Sequence, residues 1–314
     1  MKKILLLLTL ISILFFTSCE LLLNEPIKGD VYYINVGLDY ENNVLIYHAD
    51  DYDDLDGTVN DAKELHEALG SVITKAKRTG SPYLMVQEGT LVSPSDPHYP
   101  SKTNIQSKLE SLKNSVKDND LTIFTYSGHG IEITGELVFA TTTENSSPIP
   151  SDLMNAEELL FLMAAIPGKK LIILDSCFSG MFVEDSPSST NIILNNSIEK
   201  FFETYYSSDK YGKPDLFVLT ASVNTESWEP NVPHVHGFFT NALLEALGWY
   251  HPHSDTLSSV PIEYPPAAKN GQITVDGLFA YIKKNQGIDS RYYGSEYQHP
   301  KTTGGPLDLV LFNL

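Results

Sequence analysis

Three short runs of the sequence each have four apolar residues in six, most of them at successive positions, and these runs constrain the fold more than any other feature. They are residues 121–126 (LTIFTY), 170–175 (KLIILD) and 215–220 (DLFVLT). A strand that is apolar at successive positions, and not only at alternate ones, is typical of a parallel sheet buried on both faces. The chain is therefore expected to contain a mostly parallel β-sheet that is covered above and below.

Segments with helical periodicity alternate with these strands. Further strands are predicted at residues 30–36 and 83–87. Helices are predicted at residues 60–69, where Gly70 is a plausible stop, at 103–116 with Thr103 as its cap, and at 156–166, 238–247 and 275–282. Three stretches, 141–152, 181–208 and 250–272, are predicted as loop excursions, and none of them separates two cores. The alternation predicts an α/β fold with helices on both faces of one sheet, in a single domain over residues 30–314.

The amino terminus is predicted to be an export signal. Two lysines precede an apolar run at residues 4–16, which is shorter than the ~20 residues that span a bilayer but is typical of a secretory signal. Residues 17–19 (TSC) resemble the lipobox of bacterial lipoproteins, although Phe16 departs from its usual leucine. The resemblance implies a signal peptide at 1–18, lipid modification of Cys19, a tether at 19–29, and a place in the bacterial cell envelope. The alternative is an ordinary signal peptide with an incidental cysteine.

Charge and cysteine content exclude several classes of protein. The chain has 40 acidic and 21 basic residues and a formal charge of -19, which argues against a nucleic-acid partner because phosphate backbones need a basic surface. Its two cysteines are too few for a disulfide scaffold. If Cys19 carries a lipid, the thiol of Cys177 has no internal partner.

Reactive side chains follow two of the buried strands directly. The sequence SGHG at 127–130 follows one strand and contains His129, and SCFSG at 176–180 follows another and contains Cys177. Ligands of open α/β sheets bind beyond the carboxyl ends of the strands. A thiolate is a strong nucleophile, and a nearby histidine can serve as its base. Taken singly, His129 could be structural and Cys177 a small buried apolar residue; together they favour a catalytic pair.

These two motifs resemble those of a known family. YSGHG at 126–130 and DSCFSG at 175–180 are similar to the paired signatures of caspase-like cysteine peptidases, and most similar to the metacaspase-like bacterial branch. Residues 33–40, 55–62, 220–222, 236–246 and 299–300 resemble other segments of that family. The resemblance implies a caspase-like three-layer α/β sandwich and a cysteine endopeptidase that acts on peptides or proteins.

The resemblance also implies a role for each matching residue. Cys177 would be the nucleophile and His129 the general base and acid. The backbone amides of Gly130 and Cys177 would form the oxyanion hole. The family requires no third catalytic carboxylate, and no cofactor is predicted.

The substrate pocket of the family includes the residue two before the cysteine, here Asp175. The metacaspase-like branch adds a second acid, at Asp61 here. Two carboxylates in one pocket favour a cationic side chain, so cleavage after Arg or Lys is predicted. Alternatively, Asp61 interacts only with a helix dipole and Asp175 only orients backbone. The segment 221–229 is predicted to line the substrate groove, with Trp228 either in its wall or in the core.

A metal site is not predicted. His251 and His253 lie in a proline-bearing loop without a nearby cysteine, which does not fit zinc. Residues 50–57 (DDYDDLDG) are acidic but do not match the ligand spacing of an EF-hand, so weak calcium binding is only an alternative to a solvated loop.

Two other functions are compatible with the sequence. The chain could be a catalytically silent surface lipoprotein that uses the fold for binding, or a related peptidase with a different specificity. For a Lys/Arg-specific enzyme, Lys200, Lys210 and Lys213 in the segment 181–213 are candidate points of self-cleavage.

Overall fold

The structure is a computed structural model. It describes residues 27–41, 54–133, 136–139, 141–142, 149–177, 215–222, 227, 229, 236–250, 260–261, 264–289, 300–304 and 308–314. The predicted signal segment, Cys19, Trp228, the pair His251 and His253, and the predicted processing segment 181–213 lie outside these residues. No helix in the described ranges is long and apolar enough to cross a membrane.

Strands and helices alternate along most of the chain. In chain order, the described residues form the strands β1 Val31–Leu38, β2 Gly80–Gln87, β3 Leu121–Ser127, β4 Gly130–Ile133, β5 Glu136–Phe139, β6 Met154–Asn155, β7 Lys169–Asp175, β8 Leu216–Thr220, β9 Trp249–Tyr250, β10 Val260–Pro261, β11 Gln272–Thr274, β12 Lys301–Gly304 and β13 Val310–Asn313. They also form the helices α1 Thr58–Lys75, α2 Lys102–Leu112, α3 Ala156–Ala164, α4 Phe238–Ala246 and α5 Val275–Asp289, and a 3₁₀ turn at Pro150–Asp152.

Six of these strands make the central sheet, in the order β12, β8, β7, β3, β1, β2. The five strands from β8 to β2 are parallel, and β12 pairs antiparallel with β8 at one edge. The chain runs from β1 to β2 on one side and then returns to place β3 on the other side of β1. The order of the strands therefore reverses beside β1, which is where open α/β sheets bind their ligands.

Apolar residues cover both faces of this sheet. On one face, Ile34, Phe124 and Ile172 pack in a core with residues of α2 and α3. On the other face, Ile123 and Leu171 pack with residues of α1, α4 and α5. Neighbouring residues of one strand thus enter opposite cores, which explains why these strands are apolar at successive positions. The predicted three-layer α/β sandwich, mostly parallel with helices on both faces, is confirmed.

Several predicted ends of helices are wrong. α1 continues through Gly70 to Lys75, because its apolar face continues through the buried Val72 and Ile73. The cap of α2 is Ser101, whose hydroxyl accepts from the amide of Asn104, and Thr103 is not the cap. α5 extends well beyond residue 282, to Asp289.

Short strands outside the central sheet were not predicted. β4, β5 and β6 form a three-stranded antiparallel sheet directly after β3, and β11 pairs with β13 near the carboxyl terminus. The predicted loop at 250–272 contains β10, which pairs with β9. The sheet of β4 to β6 matters for the site because it carries the chain away from His129.

A half-buried arginine joins the two ends of the domain. Arg78, after α1, donates to the carbonyls of Gly29 and Asp30 before β1 and to that of Leu311 in β13. The amino-terminal strand and the last strand are thereby attached to one side chain.

Candidate active site

The two reactive side chains predicted from the sequence lie just beyond the ends of two adjacent strands. β3 and β7 pair in parallel, and Ser127 lies opposite Asp175 in the register. His129 and Cys177 each follow two positions after that pair. Because the register is parallel, both residues leave the sheet at the same edge, and both line one open pocket.

A close approach of two main chains brings these strand ends together. A Cβ atom on Gly130 would lie 2.1 Å from the carbonyl oxygen of Cys177. This distance is far below van der Waals contact, so only glycine fits unless one of the two loops moves. The glycine that follows His129 therefore determines how closely the His129 turn packs against the Cys177 turn.

The thiol of Cys177 is partly exposed at the pocket and is not part of a disulfide. Its sulfur lies 3.9 Å from the carbonyl oxygen of Ser227, a distance at which the thiol donates a weak hydrogen bond. His129 packs its ring against that of Tyr40, with the centroids 4.6 Å apart and the planes at 39°. The thiol of Cys177 and the imidazole of His129 thus line the same open pocket.

Asp175 lies in the wall of the same pocket and is buried. Its carboxylate accepts from the hydroxyl of Ser227 at 2.5 Å and from the amide and hydroxyl of Thr240 at 3.0 and 2.7 Å. Burial and the nearby charge of Asp61 raise the pKa of Asp175 to about 7, and the hydrogen bonds from Ser227 and Thr240 limit that rise. The charge of this side chain therefore changes near neutral pH.

Asp61 lines the pocket from the first turn of α1, and its side chain is buried. Its carboxylate accepts from the hydroxyl of Ser127 at 2.6 Å and lies 2.8 Å from Nδ1 of His236. The amide of Gly237 also donates to it. A side chain held in this way points towards the ends of the strands and not into solvent, so an interaction with the dipole of α1 is not its only role.

His236 gives Asp61 a buried cationic partner. Nε2 of His236 lies 3.6 Å from Glu64, whose carboxylate also accepts from the indole of Trp249. Burial alone would lower the pKa of His236, but the hydrogen bonds and charges of Asp61 and Glu64 outweigh it and raise the pKa to about 9. Burial also raises the pKa of Asp61. We take the pair as imidazolium and carboxylate because two carboxylates face the imidazole.

Glu229 is a third acid in the pocket wall, and sequence reasoning did not single it out. Its two carboxylate oxygens accept from the backbone amides of Asp56 and Gly57, which lie at the start of α1. Burial and the charge of Asp61 raise its pKa. In the segment 221–229, which the sequence predicts to line the substrate groove, the described residues Ser227 and Glu229 line the pocket.

No group of three or more His, Cys, Asp or Glu side chains within the described ranges is arranged to hold a metal ion. Part of the acidic segment 50–57 lies outside those ranges. The expectation that no metal or cofactor is needed stays a prediction. The amides of Gly130 and Cys177 likewise remain a predicted oxyanion hole.

This arrangement contains the two groups, a cysteine nucleophile and a histidine base, that acyl transfer through a thioester requires. It offers a thiol and an imidazole at the mouth of a pocket and three carboxylates in its wall, one of which faces an imidazolium. A guanidinium or ammonium group forms stronger hydrogen bonds with carboxylates than a neutral group does.

Comparisons with known proteins agree with this fold. The sequence model of the caspase domain family matches residues 43–261. A crystal structure of a protein from Geobacter sulfurreducens is similar in fold, with a TM-score of 0.50 and 13% sequence identity over 88% of this chain and 93% of that one. At that identity the likeness concerns the fold alone. No curated protein matches the sequence.

Proposed function

The chain belongs to the caspase domain family of cysteine peptidases, and from that premise we propose that it is an endopeptidase that cleaves after Arg or Lys with a His129 and Cys177 dyad. The observation that carries the proposal is the shared pocket, which places the thiol, the imidazole and three buried or partly buried carboxylates around one cavity. The family membership supports the reaction class, and the charge of the pocket supports the specificity.

The reaction begins with transfer of the thiol proton of Cys177 to the imidazole of His129. The thiolate then attacks the carbonyl carbon of the scissile peptide bond, and the amides of Gly130 and Cys177 bind the resulting oxyanion. When the oxyanion collapses, the carbon–nitrogen bond breaks and the leaving amine takes the proton from His129. This leaves a thioester between Cys177 and the amino-terminal part of the substrate.

Water completes the cycle. His129, neutral again, removes a proton from a water molecule as it attacks the thioester carbonyl. The carbon–sulfur bond then breaks, the thiolate of Cys177 recovers its proton from His129, and the carboxylic acid product leaves. No other proton carrier is needed in this sequence.

The proposed specificity follows from the charges around the pocket. Asp61, Asp175 and Glu229 contribute carboxylates, and His236 offsets one of them. A substrate side chain that ends in a cation gains charge-assisted hydrogen bonds there, whereas an acidic side chain meets like charge in a partly enclosed site.

A peptide panel tests the activity and the specificity together. Fluorogenic tetrapeptides that differ only in the residue before the cleaved bond (Arg, Lys, Ala or Asp) are incubated with the wild-type chain and with Cys177→Ala, with and without calcium. We expect cleavage of the Arg and Lys peptides by the wild type only. Equal cleavage by Cys177→Ala would contradict the role of Cys177, and faster cleavage of the Asp peptide would contradict the specificity.

We also propose that the enzyme is exported and anchored by a lipid on Cys19. The basic and apolar segments before this cysteine support the proposal. A lipid anchor holds a domain at a membrane without a spanning helix. In a bacterial host, wild-type chain is expected in the membrane fraction and Cys19→Ser in the soluble exported fraction; equal fractionation of the two would contradict the anchor.

A further inference from the structure

Two tyrosine hydroxyls hold the main chain of His129 on both sides. The amide of His129 donates to the hydroxyl of Tyr40 at 2.8 Å. The hydroxyl of Tyr126 donates to the carbonyl of His129, also at 2.8 Å. The two hydroxyls lie 3.1 Å apart and are buried.

The direction of each hydrogen bond follows from the number of hydrogens. A phenol has one hydrogen, and that of Tyr126 is given to the carbonyl of His129. The hydrogen between the two phenols must therefore come from Tyr40. Tyr40 in turn accepts from the amide of His129, so the three groups form a closed ring in which each bond strengthens the next.

The residue before His129 makes room for this ring. A Cβ atom on Gly128 would lie 2.6 Å from the hydroxyl of Tyr40 and 2.8 Å from that of Tyr126. Any larger residue would push the hydroxyls away from the turn. The glycine and the two tyrosines are thus one packing unit beneath His129.

The main chain of Tyr40 is held in an uncommon conformation to reach this position. Its φ is 61°, in the left-handed region that residues other than glycine rarely adopt. The side chain of Gln87 accepts from the amide of Tyr40 at 2.7 Å, and the carboxylate of Asp39 accepts from the amides of Glu41 and Gly89. A strained residue that its surroundings hold in place is typical of a functional site.

We infer that Tyr40 and Tyr126 are positioning residues that hold the main chain and the imidazole plane of His129 relative to Cys177. The ring of Tyr40 packs on the imidazole, and the two hydroxyls hold the peptide groups on either side of the His129 Cα. Neither tyrosine has a role in the reaction sequence itself. The inference rests on the proposed role of His129 and deepens it.

The test uses Tyr40→Phe, Tyr126→Phe and the double variant in the full chain. Tyr32→Phe is the matched control, because Tyr32 lies in β1, shortly before Tyr40 in the sequence, and its hydroxyl donates to the carbonyl of Ser115 at the surface. Each protein is assayed for kcat and KM on an Arg peptide and for the pH dependence of iodoacetamide labelling at Cys177, followed by peptide mass spectrometry. The variant His129→Ala serves as the reference, because it shows how the labelling of Cys177 depends on pH when the imidazole is absent.

We expect each single variant to lower kcat about tenfold, since small displacements of a catalytic group are costly, and to leave KM within about twofold. The labelling profile should shift towards that of His129→Ala, and Tyr32→Phe should behave as wild type. Because one broken bond opens the ring, the double variant should lose no more than either single variant.

The two proposals fail in different ways. If the wild type cleaves the peptide and both variants match Tyr32→Phe in kcat and labelling, the positioning role is wrong and the peptidase proposal stands. If nothing is cleaved but the labelling profiles differ as expected, the positioning role stands and the peptidase proposal fails. If the labelling profile of Cys177 in the wild type equals that in His129→Ala, then His129 does not act on Cys177. That result would overturn both the positioning role and the peptidase proposal.

Discussion

The charge of Asp175 links the specificity of the pocket to pH. Its pKa of about 7 means that the carboxylate gains its charge across the neutral range. Hydrogen bonds to charged groups contribute about 1.5–3 kcal/mol. Between pH 6 and pH 8 the ionised fraction of a group with this pKa rises at most about tenfold. The preference for a P1 Arg peptide over its uncharged citrulline analogue, as a ratio of kcat/KM values, should therefore rise about five- to tenfold over that range.

The protonation of His129 and Cys177 affects the kcat/KM of both peptides equally. Its effect therefore cancels in the ratio of the two values. Asp175→Asn cannot ionise, and it should hold the ratio at its low-pH value throughout. A ratio that is flat in the wild type, or that still rises in Asp175→Asn, would show that this carboxylate does not sense the substrate cation.

His236 should stabilise the fold through its contact with Asp61. Removal of one partner from a buried ion pair leaves an uncompensated charge and costs about 3–5 kcal/mol. His236→Gln is therefore expected to lower the free energy of unfolding in urea at pH 6 by about that amount. The double variant His236→Gln with Asp61→Asn should recover part of this free energy of unfolding, because Asp61 no longer leaves a buried carboxylate without a cationic partner.

The sign of the pH dependence follows from the raised pKa of His236, about 9 in the fold against an ordinary value of 6.5. Protonated His236 contributes its full stability below pH 6.5, and the contribution is lost as the pH rises through 9. The difference in stability between wild type and His236→Gln should shrink over that range. A constant difference would mean that the histidine is neutral in the fold.

At the scale of the elements, the site depends on how closely the ends of β3 and β7 approach. Gly130→Ala places a Cβ atom against the carbonyl of Cys177, where main chain and not a flexible side chain must move. We expect a loss of at least about tenfold in kcat on an Arg peptide. The thermal midpoint should fall by only a few degrees, since the strain is local.

Gly70→Ala is the matched control for this glycine. Gly70 lies inside α1, where alanine is favoured by about 0.5–1 kcal/mol and the nearest side-chain atom to a new Cβ would be 3.3 Å away. It should leave kcat unchanged. Unaltered kcat in Gly130→Ala would show that the close approach is not needed for catalysis.

The sequence predicted the centres of these elements better than their ends. A buried parallel strand such as β3 or β7 needs apolar residues at successive positions, and that pattern is visible without a structure. The end of a helix depends on local hydrogen bonds and on what packs beyond it. The hydroxyl of Ser101 caps α2 in place of Thr103, and the core beyond Gly70 keeps α1 helical.

The short antiparallel strands β4 to β6 could not be predicted from the sequence either. β4 to β6 have only two to four residues each. Too little periodicity is available in two to four residues to distinguish a strand from a loop.

At the scale of the whole molecule, the site combines residues that are distant in sequence. His129, Cys177, Asp61 and Asp175 could be nominated because each belongs to a motif or to a resemblance. Tyr40, Glu229 and His236 could not be given roles in this way, because their roles arise only from contacts across the fold. The contact of His236 with Asp61 spans 175 residues of chain.

The parallel sheet explains why such distant residues meet. Residues that follow β1, β3 and β7 leave the sheet at one edge, beside the point where the order of the strands reverses. Thr58 and Asp61 of α1 and Gly237 at the start of α4 also line the pocket, so the helices of the second face contribute to it. The fold thus supports the chemistry from a small part of its surface.

The most direct test of the account is the kcat/KM of the wild-type chain on three peptides that differ only at P1, as Arg, citrulline or Asp, measured beside Cys177→Ala at pH 8. We expect the wild type to cleave the Arg peptide at least about tenfold faster than the citrulline peptide. We expect no measurable cleavage of the Asp peptide by the wild type, and none of any peptide by Cys177→Ala. Equal rates on Arg and citrulline, or activity that survives Cys177→Ala, would contradict the account.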